Sequence, residues 1–212
     1  MTEPGLVVDG IDKSFGGRRI LAGVSMRAAP GEIVALVGPN GVGKTTLLRI
    51  IVGAEDADAG TVMLDGVAYD DRDPNVRRRV ATVLDDMAWF SELTAWEHLD
   101  LLARAHGDDE DGIVEDALEA VGLLHVADQI PTTLSSGQRR RLGLATTLVR
   151  PFDVLFLDEP EQRLDEAGRA WLAEYLRRLA GEGRIVVMAS HDPDLVQRCG
   201  GRIVAVDTED DA

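Results

Sequence analysis

The chain has 212 residues, 45% of them hydrophobic, which is typical of one globular domain with a sizeable core. No apolar run reaches the roughly 18 residues of a membrane helix, and we expect no signal peptide at the start, Met1–Pro4. The formal net charge of −16 disfavours non-specific nucleic-acid binding, so no nucleic-acid partner is expected. Cys199 is the single cysteine, which excludes an internal disulfide and fits a cytoplasmic location.

The first third of the chain predicts short strands separated by glycine and proline. These apolar or alternating runs are Leu6–Val8, Ile11–Phe15, Ile20–Met26, Ile33–Val37 and Thr61–Leu64. Asp65-Gly66 predicts a hairpin after the last run. Ile33–Val37 is apolar throughout, as in a strand buried on both faces, and Lys44–Val52 after it has helical spacing.

The remaining chain alternates between helical and strand patterns. Helices are predicted from about residue 94 to 130, with a turn at Gly107–Gly112, from Ser135 to Val149 and from Ala167 to Ala180. Core-type strands are predicted at Val80–Leu84, Val154–Leu157, Ile185–Ala189 and Ile203–Val206. This alternation indicates an α/β fold, with a mostly parallel sheet covered by helices on both faces.

A phosphate-binding loop is predicted between the strand Ile33–Val37 and the helix after it. The segment Gly38-Pro39-Asn40-Gly41-Val42-Gly43-Lys44-Thr45 matches G-x-x-x-x-G-K-[ST]. Glycines let the loop aim backbone N–H groups at phosphate oxygens, and the helix N-terminus adds partial positive charge. Lys44, one of only two lysines, would reach the β- and γ-phosphates, and the Thr45 hydroxyl would bind Mg²⁺.

Two carboxylates follow the predicted strand Val154–Leu157. Because ligands bind at the carboxyl edge of a parallel sheet, Asp158 is placed to contact Mg²⁺ and Glu159 to polarise a water in line with the γ-phosphate. An apolar run followed by Asp-Glu is weak evidence alone, since helix caps give the same string. Together with the phosphate loop, this Asp-Glu pattern predicts a phosphoryl-transfer site.

Over nearly its whole length the sequence resembles the ATP-binding cassette (ABC) family. Leu134-Ser135-Ser136-Gly137-Gln138 resembles that family's signature, usually Leu-Ser-Gly-Gly-Gln, and it precedes the Asp158-Glu159 strand as it does in the family. The resemblance implies a P-loop NTPase core with an N-terminal antiparallel β subdomain and an inserted α-helical subdomain. It places the core at about 1–84 and 135–206, the helical subdomain at about 85–134 and an acidic tail at 207–212, within one domain, 1–212.

The resemblance also implies roles for individual residues. Glu159 and His191 are the expected catalytic residues, the latter as the switch histidine near the γ-phosphate, and Asp165 is expected at a dimer interface. Phe15 matches the aromatic that stacks on adenine, although a core position is the alternative. The expected ATP-binding residues are Phe15, Gly38, Pro39, Asn40, Gly41, Val42, Gly43, Lys44, Thr45 and Thr46.

Family members pair head to tail, which implies a partner chain. Each ATP lies between the phosphate loop of one chain and the signature of the other, so Leu134, Ser135, Ser136, Gly137 and Gln138 are expected to contact ATP in trans. We therefore expect ATP and Mg²⁺ as cofactors. The expected partners are a second copy or a paralogous ATPase subunit, and a separate membrane-spanning subunit that holds the chain on the cytoplasmic face of the membrane.

Three segments depart from the family pattern. Asp85 stands where the family has a metal-binding glutamine, so we expect it to bind Mg²⁺ with added negative charge. Ser136 replaces a signature glycine, and Glu161-Gln162-Arg163 replaces small residues before Leu164-Asp165. The apolar cluster Met87–Phe90 is interpreted either as a docking patch for the membrane subunit or as core.

Other functions fit parts of the pattern. A soluble ABC ATPase, of the iron–sulfur assembly type or a nucleotide sensor, is the main alternative to a transporter subunit. A GTPase or kinase on the same loop would leave the signature unexplained, and the chain has no Asn-Lys-x-Asp string for guanine recognition. Glu159 and His191 argue against an inactive sensor.

Overall fold

The computed structural model describes residues 5–85, 87–107 and 110–206. The predicted acidic tail, 207–212, lies outside these residues. In chain order the elements are β1 (Leu6–Phe15), β2 (Arg18–Ala28), β3 (Ile33–Val37), α1 (Lys44–Ile51), β4 (Ala59–Leu64), β5 (Val67–Ala68), α2 (Pro74–Arg79), β6 (Val80–Val83), α3 (Ala95–His106), α4 (Ile113–Ala120), α5 (Ser136–Ala145), β7 (Val154–Asp158), α6 (Glu166–Gly181), β8 (Ile185–Ala189), α7 (Pro193–Cys199) and β9 (Arg202–Ala205). Short 3₁₀ turns lie at Leu124–Val126 and Pro131–Thr133.

The strands form one antiparallel and one parallel sheet. The antiparallel sheet has the order β2-β1-β4-β5, and the parallel sheet has the order β6-β7-β8-β3-β9. The predicted hairpin at Asp65-Gly66 is confirmed, with both residues at positive φ as a tight two-residue turn requires. The α/β class and the N-terminal antiparallel sheet are therefore as predicted.

Three hydrophobic clusters form the core. One lies between the two sheets and α1, and includes Leu36, Leu48 and Phe156. The second packs α6 and α7 on the opposite face of the parallel sheet, and the third joins α3, α4 and α5. The central strands β3, β7 and β8 are buried on both faces, which explains why their sequences are apolar except for Asp158 at the end of β7.

Two local predictions need correction, and two helices had not been predicted. The two strands predicted at 6–8 and 11–15 are one strand, β1, whose pairing with β2 shifts register between Val8 and Ile11. Helix α5 ends at Ala145 rather than Val149, because the hydroxyls of Thr146 and Thr147 donate to carbonyls three residues earlier. Helices α2 and α7 were missed, although each begins with an aspartate cap followed by proline.

Candidate active site

The phosphate loop, residues 38–43, connects β3 to α1 as predicted. Gly43 precedes α1 with φ 111°, and a Cβ there would lie 2.8 Å from Cδ2 of Leu21. A Cβ at Gly38 would lie 2.5 Å from the carbonyl oxygen of Val206. Only glycine fits these two positions, so the loop holds its backbone close to the sheet and leaves its N–H groups for a ligand.

Lys44 lies beneath this loop and is only 5% exposed. Its Nζ donates to the carbonyl oxygens of Gly38 at 2.9 Å and Pro39 at 3.0 Å. Burial lowers the pKa of Lys44, while the negative charges of Glu159 and Asp158 oppose that lowering. A buried ammonium group whose acceptors are neutral carbonyls is well placed to bind an anion.

Two of the three residues predicted to hold Mg²⁺ lie in contact, Thr45 at the start of α1 and Asp158 at the end of β7. The Thr45 hydroxyl donates to Oδ1 of Asp158 at 3.1 Å. Burial raises the pKa of Asp158, the hydrogen bond from Thr45 lowers it, and the negative charge of Glu159 raises it further. One hydroxyl and one buried carboxylate fit Mg²⁺, which protein sites often bind by one or two carboxylates and substrate phosphates. Among the described residues, no cluster of three or more His, Cys, Asp or Glu forms a complete metal cage.

Glu159 stands at the end of β7 in a strained backbone conformation. Its φ is 48°, unusual for a residue other than glycine, and its N–H donates to the carbonyl oxygen of Ala189 at 2.8 Å. Oε1 lies 2.5 Å from Nε2 of His191, and Oε2 accepts a hydrogen bond from Gln162. The structure therefore brings the two predicted catalytic residues, which are 32 positions apart in sequence, into direct contact.

Most of these groups, although not Asp158, line one pocket of about 360 Å³. Its lining includes Phe15, Asn40, Gly41, Gly43, Lys44, Thr45, Thr46, Glu159, Gln162 and His191. Phe15 is 48% exposed at the rim and therefore lies outside the core, with Nζ of Lys13 4.9 Å from its ring centre. An exposed aromatic ring beside a phosphate loop suits stacking against a flat heterocycle.

The signature-like segment lies at the start of α5, outside this pocket. Ser135 caps the helix: its hydroxyl accepts from the N–H of Gln138 at 3.2 Å, and the Gln138 side chain accepts from the N–H of Ser135 at 2.8 Å. Leu134 is buried, whereas Ser135 and Ser136 are exposed. A Cβ at Gly137 would lie 2.9 Å from the carbonyl oxygen of Arg163, so glycine is required there. The exposed N-terminus of α5 faces away from the chain's own core.

Asp85 and Asp165 have local contacts that the sequence did not indicate. Asp85 lies after β6 and lines a separate cavity of about 150 Å³ with Ser136, Arg140 and Arg163. Its negative charge opposes the lowering of the Arg140 pKa and adds to the raising of the Asp158 pKa. Its role as a metal ligand remains a prediction. Asp165 caps α6 by accepting from the N–H of Gly168 at 2.9 Å, and it also accepts from Arg141 at 2.7 Å.

Three residues at the site had no predicted role. Gln162 contacts Glu159 within the pocket, Glu161 contacts the segment that carries His191, and Arg140 donates to the backbone at the end of β7. Glu161 and Gln162 stood out in the sequence as departures from the family pattern. Arg140 gave no such signal, because a run of three arginines at the start of a helix is typical of a solvated face.

The apolar cluster after β6 splits between core and surface. Met87 packs against the core below α6, and Trp89 is partly buried against α3. Phe90 is 63% exposed, and its ring lies 5.5 Å from that of His98. The exposed part of the cluster lines a groove of about 490 Å³ together with Leu101, Leu102 and Arg150. The cluster is thus partly core, and docking of its exposed part on a membrane subunit stays a prediction.

A phosphate loop between a buried parallel strand and a helix, beside two carboxylates and a histidine, defines a P-loop nucleotide-binding domain. The family model for ABC transporters matches residues 21–162, two thirds of the sequence. The chain belongs to the ABC transporter family, as the resemblance predicted.

Curated relatives agree with this assignment. The chain is 37% identical over 192 residues to the uncharacterized ABC transporter ATP-binding protein YdbJ of Bacillus subtilis, covering 90% of this chain and 62% of that protein. It is 41% identical over 206 residues to the sulfate/thiosulfate import ATP-binding protein CysA of Bordetella bronchiseptica, covering 93% of this chain and 58% of the relative. The chain therefore spans about three fifths of the length of these relatives.

A solved structure shares the fold over nearly the whole chain. It is the dimeric ATP-binding cassette MJ0796 in a post-hydrolysis state bound to ADP and Pi, with a TM-score of 0.83, 25% sequence identity, and coverage of 95% of this chain and 94% of that one. This likeness confirms the predicted architecture.

Proposed function

We propose that the chain is the ATP-binding and ATP-hydrolysing subunit of an ABC transporter. The observation that carries this proposal is the contact of Glu159 with His191 at 2.5 Å, in the same pocket as Lys44 and Thr45. A carboxylate and an imidazole placed beside a phosphate loop suit activation of a water for attack on a terminal phosphate. The names of the relatives and the ADP-bound structural neighbour support the same activity.

Each group in the pocket has a chemical role under this proposal. The loop N–H groups and Lys44 would bind the phosphates, and Thr45 and Asp158 would hold Mg²⁺, which neutralises charge on the phosphate oxygens. Glu159 would orient the water and accept its proton. His191 would contact the γ-phosphate and keep it in position.

A second cassette would complete the site. Ser135 and Ser136 are exposed at the N-terminus of α5. They lie outside the phosphate pocket of their own chain, so they would not contact the ATP bound there. Head-to-tail pairing would place them on the ATP of the partner, with Asp165 near the interface. The structural neighbour is itself described as dimeric, which supports this arrangement.

The groove beside Phe90 is the proposed contact with a separate membrane-spanning subunit. It combines exposed apolar side chains, Phe90 and Leu101, with Arg150 at one end. Among the described residues, no helix has the length and apolar character that crossing a membrane would require. The chain would then lie on the cytoplasmic face of the membrane through this partner. Relatives named for import and for export both match, so the proposal concerns the ATP-driven step that they share.

Phosphate release and co-purification test the proposal together. The chain is co-expressed with the multi-span membrane proteins of its source and purified in detergent with Mg·ATP. We expect ATP turnover, and a co-purifying membrane protein whose recovery falls at least about ten-fold in Phe90→Ser. Ile203→Ser, an equally exposed apolar position on β9, is the matched control and should keep the partner. Turnover with a soluble scaffold instead would favour the assembly-type ATPase, and absence of turnover would contradict the proposal.

A further inference from the structure

Glu161 is a buried carboxylate directly behind the catalytic pocket. It is only 7% exposed, and its Oε1 accepts two hydrogen bonds, from the Ser190 hydroxyl at 2.8 Å and from the backbone N–H of His191 at 2.9 Å. Its Oε2 is fully buried and has no hydrogen-bond partner among the described residues. An unpaired buried carboxylate oxygen costs stability, so packing alone does not account for a glutamate here.

The side chain and the backbone of His191 are both held by the same turn of the chain, which contains Glu159 and Glu161. The imidazole of His191 contacts Glu159, while its backbone N–H is held by Glu161, two residues further along. The turn itself is closed by the N–H of Gln162, which donates to the carbonyl oxygen of Glu159 at 3.0 Å. A shift of the segment after β8 would therefore break two contacts at once.

Arg140 supplies the compensating positive charge. It is 7% exposed, and its Nη2 donates to the carbonyl oxygens of Asp158 at 2.6 Å and Glu159 at 2.7 Å. Burial lowers the pKa of Arg140, and the negative charges of Asp85, Asp158 and Glu161 oppose that lowering. The guanidinium thus stabilises a group of carboxylates that would otherwise repel one another.

We propose that Glu161 is a positioning residue, which holds the backbone of His191 so that the imidazole meets Glu159 in the geometry needed for hydrolysis. The inference rests on the proposed function, since it assigns a positioning group to the same site. Glu161 does not line the pocket, so its effect on ATP would run through His191.

Amide hydrogen exchange tests the anchor without ATP. In the parent protein we expect the His191 N–H to be protected, and in Glu161→Leu to exchange at least about ten-fold faster, while the amides of β8 are unchanged. Glu161→Gln retains an acceptor oxygen and should keep the protection. Glu161→Thr, whose side chain is too short to reach His191, serves as the second loss variant if the leucine protein does not fold. Equal exchange in parent and loss variants would overturn the inference.

A double-mutant cycle with His191 tests the catalytic consequence. We expect Glu161→Leu to lower kcat about ten-fold with the Kd for Mg·ATP unchanged within about two-fold, and Glu161→Gln to recover most of the rate. In a His191→Ala background, Glu161→Leu should change kcat by less than about two-fold, because the group it positions is gone. A full independent effect in that background would overturn the inference. A parent with a protected His191 amide but no turnover would contradict the proposed function while supporting the anchor.

Discussion

The phosphate pocket and the start of α5 differ in how their polar groups are paired. In the pocket, Lys44 is bonded to loop carbonyls, Thr45 to Asp158, and Glu159 to both His191 and Gln162. At the start of α5, the Ser135 hydroxyl caps its own helix, and both Ser135 and Ser136 are exposed. Under the proposed function, the pocket binds ATP within one chain, whereas the α5 terminus would contact the ATP of a second molecule. Variants in the two regions should therefore have distinct effects on ATP hydrolysis, on dimer formation and on ATP binding.

Glu159→Gln should give the largest effect on the pocket side. The amide keeps the shape of the side chain but cannot accept the proton of the attacking water, so we expect kcat to fall about 100- to 1,000-fold. ATP binding should persist, and size-exclusion chromatography with Mg·ATP should show an accumulated dimer. A variant that turns over at the parent rate would remove Glu159 from the catalytic role.

Ser136→Arg tests the α5 side with a smaller effect. The side chain would obstruct the outward-facing helix terminus without touching the pocket, so the rate should fall at least about 30-fold and the ATP-dependent dimer should be lost. Calorimetric Kd for Mg·ATP on the single chain should stay within about two-fold of the parent. If that Kd weakens as much as the rate falls, the two regions are not separable as described.

Phe15 at the pocket rim should contribute binding energy but little chemistry. Phe15→Leu removes a ring that can stack on a heterocycle, and we expect the Kd for ATP to weaken about three- to ten-fold, the loss of about 1 kcal/mol. Phe15→Tyr is the control and should bind like the parent. An unchanged Kd in Phe15→Leu would show that the ring does not contact the base.

Asp158 should show the smallest effect, a change in the stability of the chain measured without Mg²⁺. Burial raises the pKa of Asp158 above the ordinary aspartate value, so the folded state binds a proton on this carboxyl group more tightly than the unfolded state does. The contribution of Asp158 to the free energy of unfolding is therefore fully present at low pH and is lost as the pH rises through the folded pKa. Asp158→Asn should therefore raise Tm at pH 7 by about 2–4 °C without Mg²⁺, the shift that about 1 kcal/mol produces in a domain of this size. The gain should shrink below pH 4 in a melting series. A lower Tm at pH 7 would contradict this reading.

The sequence predicted most of the fold because its signals are local. The phosphate loop, the β7 strand end and the Asp65-Gly66 turn each depend on a short pattern with a physical reason, and each is found as predicted. The ends of elements were less predictable: α5 stops early because two threonines bond back to the helix, a competition that apolar periodicity does not register.

At the site, the residues placed by sheet topology were predictable, whereas side-chain pairings between distant parts of the sequence were not. The positions of Lys44, Thr45 and Asp158 follow from topology, since parallel strands end at one edge. The buried pairing of Glu161 with the His191 backbone joins residues 30 positions apart and has no sequence pattern. Arg140 looked like one of three surface arginines, and only packing shows that it is buried beneath the carboxylates.

Isothermal titration calorimetry of the chain with ATP and Mg²⁺ tests the central claim most directly. We predict a saturable heat of binding in the parent, and a Kd at least about 100-fold weaker in Lys44→Ala, because Lys44 is the one lysine or arginine among the described residues lining the pocket and would face the phosphates. No heat in the parent, or the same Kd in Lys44→Ala, would contradict the account.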